Sequence, residues 1–171
     1  MSGHRIARSS REPGVRTAQV RDARVVAAIY VESSNEGFGA LAPARRYSEE
    51  RVTDWERDLC AGRPHRWWVA ELDATVVGFA GIGPSRDPVD ETLGELDTIA
   101  VDPGHWRRGI GNALMTVALE FLASDGYRAA ILWTLSGYER GRAFYEATGW
   151  TLDGGIRDEG RQVRYRHLLT R

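Results

Sequence analysis

The stretch from Ile99 to Met115, IAVDPGHWRRGIGNALM, constrains this chain more than any other. It reads as a β-strand, a proline turn, two arginines, a Gly-x-Gly pair and the start of a strongly periodic helix. Pro103 ends the strand because it has no N–H to give to a ladder. Gly109 and Gly111 fall where the helix begins. A helix start leaves its first N–H groups unpaired and carries partial positive charge. Glycines there remove the Cβ atoms that would keep a ligand off the backbone. Together these features describe an anion site, most often one for phosphate. Arg107 and Arg108 add two permanent charges suited to a pyrophosphate. The dinucleotide loop would want glycine at 114, where Leu114 stands. The phosphate loop of ATPases would want Gly-Lys-Ser/Thr, which is absent. On these residues alone, a tight strand-to-helix turn with no ligand accounts for the segment as well.

The flanking sequence predicts the order β α α β β β α β α β β. Residues 15–20 read as a strand. A helix capped by Asp22 follows, with Val25, Val26, Ile29 and Tyr30 at helical spacing, and it fades over Ser33–Gly39. A Gly- and Pro-punctuated loop covers 37–47. Ser48 caps a second helix with Val52, Trp55 and Leu59 on one face. Segments 66–72 and 76–83 form a hairpin about Asp73–Thr75. Residues 84–92 read as a polar loop and 94–101 as the next strand. The helix over 109–126 carries Leu114, Val117, Ala118, Phe121 and Leu122 as one stripe, with Gly126 as its stop. The apolar run 129–135 suits a strand covered on both faces. A short helix over 141–149 and strands near 150–153 and 162–168 complete the chain. Interleaved strands and helices with no linker or repeat imply one α/β layered domain over 14–171. Residues 1–13 read as a flexible tail.

Composition removes several classes of function. The chain has 171 residues, 42% of them hydrophobic, which excludes disorder as the main state. Its net charge of −1 argues against a dedicated nucleic-acid binder. No apolar run approaches a membrane span, and residues 1–14 lack the apolar core of a secretory signal. A single cysteine, Cys60, excludes an internal disulfide framework and fits a reducing cytoplasm. All 23 basic residues are arginine, so no lysine can form a Schiff base. His65, His105 and His167 show no metal-ligand spacing, and no metal is expected. Ser136 lacks the context of a hydrolase nucleophile.

The segment VDPGHWRRGIGNAL resembles motif A of the GNAT superfamily of N-acetyltransferases, Gln/Arg-x-x-Gly-x-Gly/Ala. LWTLSGYERGRAFYEATGW (132–150) resembles the later strand and helix of that family, with its aromatic-Tyr pair ahead of a Gly-aromatic. The resemblance spans about residues 15–168 and is closest in kind to small bacterial stand-alone members. It implies a mixed α/β, mostly antiparallel sheet splayed between its fourth and fifth strands, with helices on both faces. It further implies acetyl-CoA as co-substrate and direct acetyl transfer to a primary amine in the cytoplasm. Ile99, Ala100 and Val101 would line the pantetheine arm through their backbone. Arg107, Arg108, Gly109, Ile110, Gly111 and Asn112 would form the pyrophosphate loop. Two positions depart from the family pattern: Trp106 replaces the first motif residue, and Tyr138 stands where relatives often carry a coenzyme-contacting Asn.

The same resemblance assigns Tyr145 as the acid that protonates the leaving thiolate; a phenol with pKa about 10 keeps its proton at neutral pH. It also assigns Glu95 as the base. Strand alternation would put Glu95, Asp97 and Ile99 on one face, so Asp97 or a water remains an alternative. Trp133 occupies the position at which other relatives place a fifth-strand glutamate. Trp67 and Trp68 should face opposite sides of their strand, one in the core and the other walling the acceptor site. Arg140 and Arg142 could meet phosphate or solvent. In the family, the acceptor is set by loops that here span about 33–47 and 153–163. Glu36, Asp87, Asp90 and Glu91 would add negative charge there, suiting a cationic small molecule: an amino acid, a polyamine or an amine antibiotic. A protein amine is the wider option, and a homodimer is common in the family. The rival reading is a coenzyme A-binding module without turnover.

Overall fold

The computed structural model describes residues 12–170. The expected N-terminal tail lies almost wholly outside them. Seven strands form one sheet in the order β1-β2-β3-β4-β5-β7-β6: β1 Gly14–Thr17, β2 Arg66–Leu72, β3 Thr75–Arg86, β4 Val89–Val101, β5 Ala129–Leu135, β6 Thr151–Arg157 and β7 Gln162–Leu168. Every neighbouring pair is antiparallel except β4 and β5. Helices α1 (Ala23–Phe38) and α2 (Glu49–Cys60) cover one face. Helix α3 (Ile110–Ser124) covers the other, and α4 (Glu139–Ala147) connects β5 to β6. The element order is the one expected.

Each face has its own core. On the α3 face, Trp68, Ile82, Leu96, Leu114, Met115, Leu122 and Leu132 pack together. The α3 stripe supplies Ile110, Leu114, Met115, Ala118 and Leu122, all buried. Each large aliphatic among them contributes about 1.5–3 kcal/mol through burial. On the opposite face, Val26, Ile29, Val52 and Trp55 pack on Val69, Phe79 and Ala100. Trp67 and Trp68 do face opposite sides, but both are packed against core aromatics: Trp67 on Trp55 at 5.2 Å and Trp68 on Phe121 at 4.9 Å.

Several local expectations are corrected. Strand β1 ends at Thr17, and a 3-10 turn over Val20–Asp22 follows. Asp22 does not cap α1; its carboxylate turns back to accept from the Gln19 N–H at 2.8 Å and from Arg16 at 2.8 and 2.9 Å. Those donors hold the Asp22 carboxyl below its ordinary pKa, with Arg16 the larger cause. Helix α1 ends at Phe38, within the expected Ser33–Gly39 stretch. The polar stretch 84–92 is no loop: β3 and β4 run on to a tip at Asp87–Pro88, where the Ser85 hydroxyl donates to the Pro88 carbonyl. The tip of a two-stranded ribbon has solvent on both sides, so it needs no apolar side chain to be a strand. Cys60 is exposed at the end of α2.

The feature that shapes the rest is the brevity of the β4–β5 pairing. It consists of Leu93–Ala129, Gly94–Ala130 and Glu95–Ile131 and then stops. Beyond Glu95 the two strands diverge, which is the splay between the fourth and fifth strands that the resemblance implies.

Candidate active site

The divergence opens a cleft of about 1040 Å³. Its walls include Asp97 to Val101 of β4, Trp133 to Leu135 of β5, the start of α3, the first turns of α4 and the C-terminal half of α1. It therefore reaches from the α3 face of the sheet to the α1 face.

At the α3 end the turn after β4 is fixed by local bonds. Asp102 Oδ1 accepts from the Gly104 N–H at 3.0 Å, and its Oδ2 lies 2.7 Å from His105 Nδ1. The Trp106 indole N–H donates to the Val101 carbonyl at 2.7 Å, and the Arg140 guanidinium lies 4.4 Å over the Trp106 ring. Trp106 thus braces the turn instead of offering a polar group to a ligand. Gly109 has φ +80° at the N-cap, a conformation that costs a residue with a Cβ about 1–2 kcal/mol. The first helical bond runs from the Ala113 N–H to the Gly109 carbonyl at 3.0 Å. The N–H groups of Ile110, Gly111 and Asn112 have no partner among the described residues and face the cleft end with Arg107 beside them. Gly111 packs directly on the Phe144 ring of α4.

Of the residues expected at the site, Ile99, Ala100, Val101, Arg107, Gly109, Ile110, Gly111, Asn112, Tyr138 and Tyr145 line the cleft. Arg108 and Glu95 do not. Arg108 is exposed on the turn beside Arg107. Glu95 is buried, and its carboxylate accepts from the backbone N–H of Arg86 at 3.0 Å and from the Arg86 guanidinium at 3.2 Å.

Asp97 does reach the cleft, by way of a β-bulge. Gly81 pairs with Thr98 and Ile82 with Leu96, leaving Asp97 as the extra residue of β4. The bulge defeats simple alternation. Leu96 and Ile99, three apart, pack on the same α3-face core, while Asp97 joins Glu95 on the other side, where Arg86 bonds both carboxylates. His65 Nδ1 stands 3.6 Å from Asp97. Burial pushes the Asp97 carboxyl up, Arg86 opposes this, and the neighbouring Glu95 adds to the rise.

Tyr145 forms part of the cleft wall, its ring 5.7 Å from Phe144 and 5.9 Å from Tyr165. Its hydroxyl has no hydrogen bond among the described residues. Burial pushes its phenol well above the ordinary value, so the proton stays on at any physiological pH. Helix α4 is anchored behind it: the Tyr165 hydroxyl donates to Glu146 at 2.7 Å and accepts from Arg142 at 3.0 Å, and Arg142 also donates to the Ser136 carbonyl at 2.8 Å. Arg142 is therefore a brace and not a phosphate ligand. Tyr138 spans from α4 to the end of α1. Its ring sits on Gly141, its hydroxyl on Gly37, and its edge against Phe38 at 5.0 Å.

The α1 end of the cleft holds groups that the sequence did not single out. Arg45, Ser33 and Ser34 line it, within the 33–47 stretch expected to set the acceptor, and Tyr30, read from the sequence only as part of the α1 repeat, joins them. The Trp133 ring carries the guanidinium groups of Arg157 at 4.3 Å and Arg164 at 5.5 Å, and its indole N–H donates to the Asp87 carbonyl at 3.0 Å. Glu36, Asp87, Asp90 and Glu91 do not line the cleft. Asp87 stands 3.7 Å from Arg157, and Asp90 accepts from Thr92. Among the described residues, no three metal-ligating side chains come together, and no helix is long and apolar enough to cross a membrane.

Comparison with known proteins agrees with this geometry. The chain is 28% identical over 159 residues to the phosphinothricin N-acetyltransferase of Streptomyces viridochromogenes, covering 90% of this chain and 80% of that one. It is 29% identical over 107 residues to the mycothiol acetyltransferase of Acidimicrobium ferrooxidans, covering 58% of this chain. The chain spans between 34% and 48% of the length of that protein and two other relatives it matches. In fold it resembles the PaiA N-acetyltransferase of Thermoplasma acidophilum, solved in complex with coenzyme A, with a TM-score of 0.73 at 17% identity over 92% of this chain and 99% of that one. Residues 27–150 match the model of the acetyltransferase (GNAT) family. That match takes in both walls of the cleft and most of the sequence, and the chain belongs to the GNAT acetyltransferase family.

Proposed function

We propose that the chain transfers an acetyl group from acetyl-CoA directly to a primary amine. The observation that carries this reading is the coincidence of two features at one cleft: β4 and β5 part after three residue pairs, and the unpaired N–H groups of α3 stand at the mouth. The first leaves a strand edge on which an extended amide-bearing chain can pair; the second suits a pyrophosphate. Ile110, Gly111, Asn112 and Arg107 would hold the phosphates, with Arg108 adding charge from outside the cleft. Ile99, Ala100 and Val101 would orient the pantetheine arm, and Tyr138 would border it.

Acetyl-CoA supplies the activated acetyl carbon. Asp97 takes a proton from the acceptor's ammonium, freeing the nitrogen lone pair to bond to that carbon. As the carbon–sulfur bond breaks, Tyr145 gives its phenol proton to the sulfur. The nitrogen sheds a second proton as the amide forms. One of the two replaces the proton that Tyr145 gave, and the other leaves to solvent. Glu95 stands one step behind Asp97 and shares Arg86 with it, so the base is this carboxylate pair with Asp97 at the cleft wall. The names of the relatives, which include a phosphinothricin and a mycothiol acetyltransferase, favour a small-molecule acceptor.

Thermal shift against acetyl-CoA, coenzyme A, ATP and NAD tests the cofactor, since a ligand that binds only the folded state raises its apparent stability. Stabilisation by acetyl-CoA and coenzyme A alone is expected, followed by free-thiol release across an amine panel. Absence of any shift at saturating acetyl-CoA, or binding with no thiol release for any amine, refutes the reading.

A further inference from the structure

Arg45 sits in the cleft wall with its charge unanswered. It has no ion pair among the described residues, and its Nε is buried without a hydrogen-bond partner. Buried polar groups in folded proteins are nearly always bonded, and leaving a buried donor unmade costs stability. The fold nevertheless keeps the residue in place. The Asn35 side chain, from α1, grips the Arg45 backbone on both sides: its Oδ1 accepts from the Arg45 N–H at 2.7 Å and its Nδ2 donates to the Arg45 carbonyl at 3.0 Å. The guanidinium lies 4.9 Å over the Tyr30 ring, and the Arg51 guanidinium shares that ring at 5.6 Å. Tyr30 is in turn set edge-on against Trp55 at 5.5 Å.

A fixed guanidinium offers a planar fork of donors that matches a carboxylate. Asp97 faces the same cleft from the same side of the sheet, the α1 face, while the free N–H groups of α3 lie at the other end. At the acceptor end the cleft wall presents Arg45 and Asp97, the latter backed by Arg86 from outside the wall, and the two are complementary to a zwitterion. A polyamine would answer Asp97 but bring only positive charge to Arg45, and like charge in a confined site discriminates against it. We infer that the acceptor is an α-amino acid, its carboxylate held by Arg45 and its ammonium directed to Asp97. This inference rests on the acetyl-transfer reading above and names its substrate class.

The test is thiol release with acetyl-CoA across the twenty common α-amino acids, their decarboxylated amines, spermidine and lysine-containing peptides. Wild type is expected to favour its best amino acid over the matching decarboxylated amine by about tenfold or more in kcat/KM, the worth of one charge-assisted hydrogen-bond pair. Arg45→Gln should erase most of that preference by raising KM for the amino acid far more than for the matching amine. Arg45→Lys should retain part of it, which a purely structural role of the side chain would not predict. Equal or better turnover of the decarboxylated amines, spermidine or peptides by wild type overturns the inference. So does a preference untouched by Arg45→Gln, or a loss that is the same for both members of each pair. Absence of transfer to every amino acid also overturns it: if acetyl-CoA still stabilises the protein and another amine is acetylated, the acetyltransferase reading stands alone, and if nothing is acetylated, both fall.

Discussion

Arg86→Met removes the guanidinium that bonds both Glu95 and Asp97. The two carboxylate side chains are 7% and 8% exposed, whereas Arg86 is 63% exposed. Breaking a fully buried pair costs about 3–5 kcal/mol, and an exposed pair is worth about 0–1. A solvent-screened cation over buried anions falls between them, at about 1–2 kcal/mol, and its loss disfavours the ionised Asp97. Burial already raises Asp97, and losing Arg86 raises it further. A carboxyl whose folded pKa exceeds its unfolded pKa binds the proton more tightly when folded, so stability falls as pH rises through that window. The variant should therefore be least stable relative to wild type at neutral pH and above. Its deficit should shrink as the pH falls below the raised pKa of Asp97. Urea melts from pH 4.5 to 8 measure this directly, and the acid limb of kcat should move to higher pH with them. A deficit that is constant with pH, with an unmoved acid limb, would show that Arg86 merely packs on the hairpin and that the carboxylates are not coupled through it.

Other outcomes follow from the same geometry. Tyr145→Phe should lower turnover at least tenfold, about 1.4 kcal/mol of barrier, with acetyl-CoA affinity unchanged by calorimetry; retained turnover removes Tyr145 from the acid role. Arg107→Glu should weaken acetyl-CoA binding more than Arg108→Glu, because only Arg107 lines the cleft; neither should alter affinity for a pantetheine lacking phosphate. Gly141→Ala would put a Cβ 2.2 Å from the Tyr138 ring and should cost about 1–3 kcal/mol as overpacking. The added change Tyr138→Ala should recover much of that loss in thermal melts, and failure to recover it would mean that the ring is not what the methyl meets.

What the sequence disclosed was what short-range chemistry encodes. The turn from Asp102 to Gly111, the α3 stripe and the apolar β5 run are each set by residues within a few positions of one another. The polar hairpin tip was misread because strand pairing there is made by backbone, and side-chain polarity reports only exposure. The bulge at Asp97 was invisible for a related reason: one extra residue in a strand leaves the hydrophobic pattern on either side intact while it changes which carboxylate faces the cleft. The 33–47 stretch was expected to set the acceptor, but Arg45 within it was not singled out. Its position depends on an amide ten residues earlier and on a ring on α1, and an arginine in a loop gives no hint of either.

Among the described residues, the three residue pairs that join β4 to β5 are also the only ladder between two parts of the sheet, β1 to β4 and β5 to β7. So short a seam is backed by the small buried group Leu93, Ala129 and Ile131 and by the α3-face core, which takes in Leu132 and Tyr165, so the two parts are units joined by packing more than by a ladder. A chain laid between the diverging strands would act as the strand the sheet lacks and would couple the units. Amide protons of β5 and β7 should then exchange as a separate, less protected set in the free protein and merge with those of β3 and β4 when acetyl-CoA is present. The cleft that admits the ligand is thereby also the place where the protein gains its rigidity.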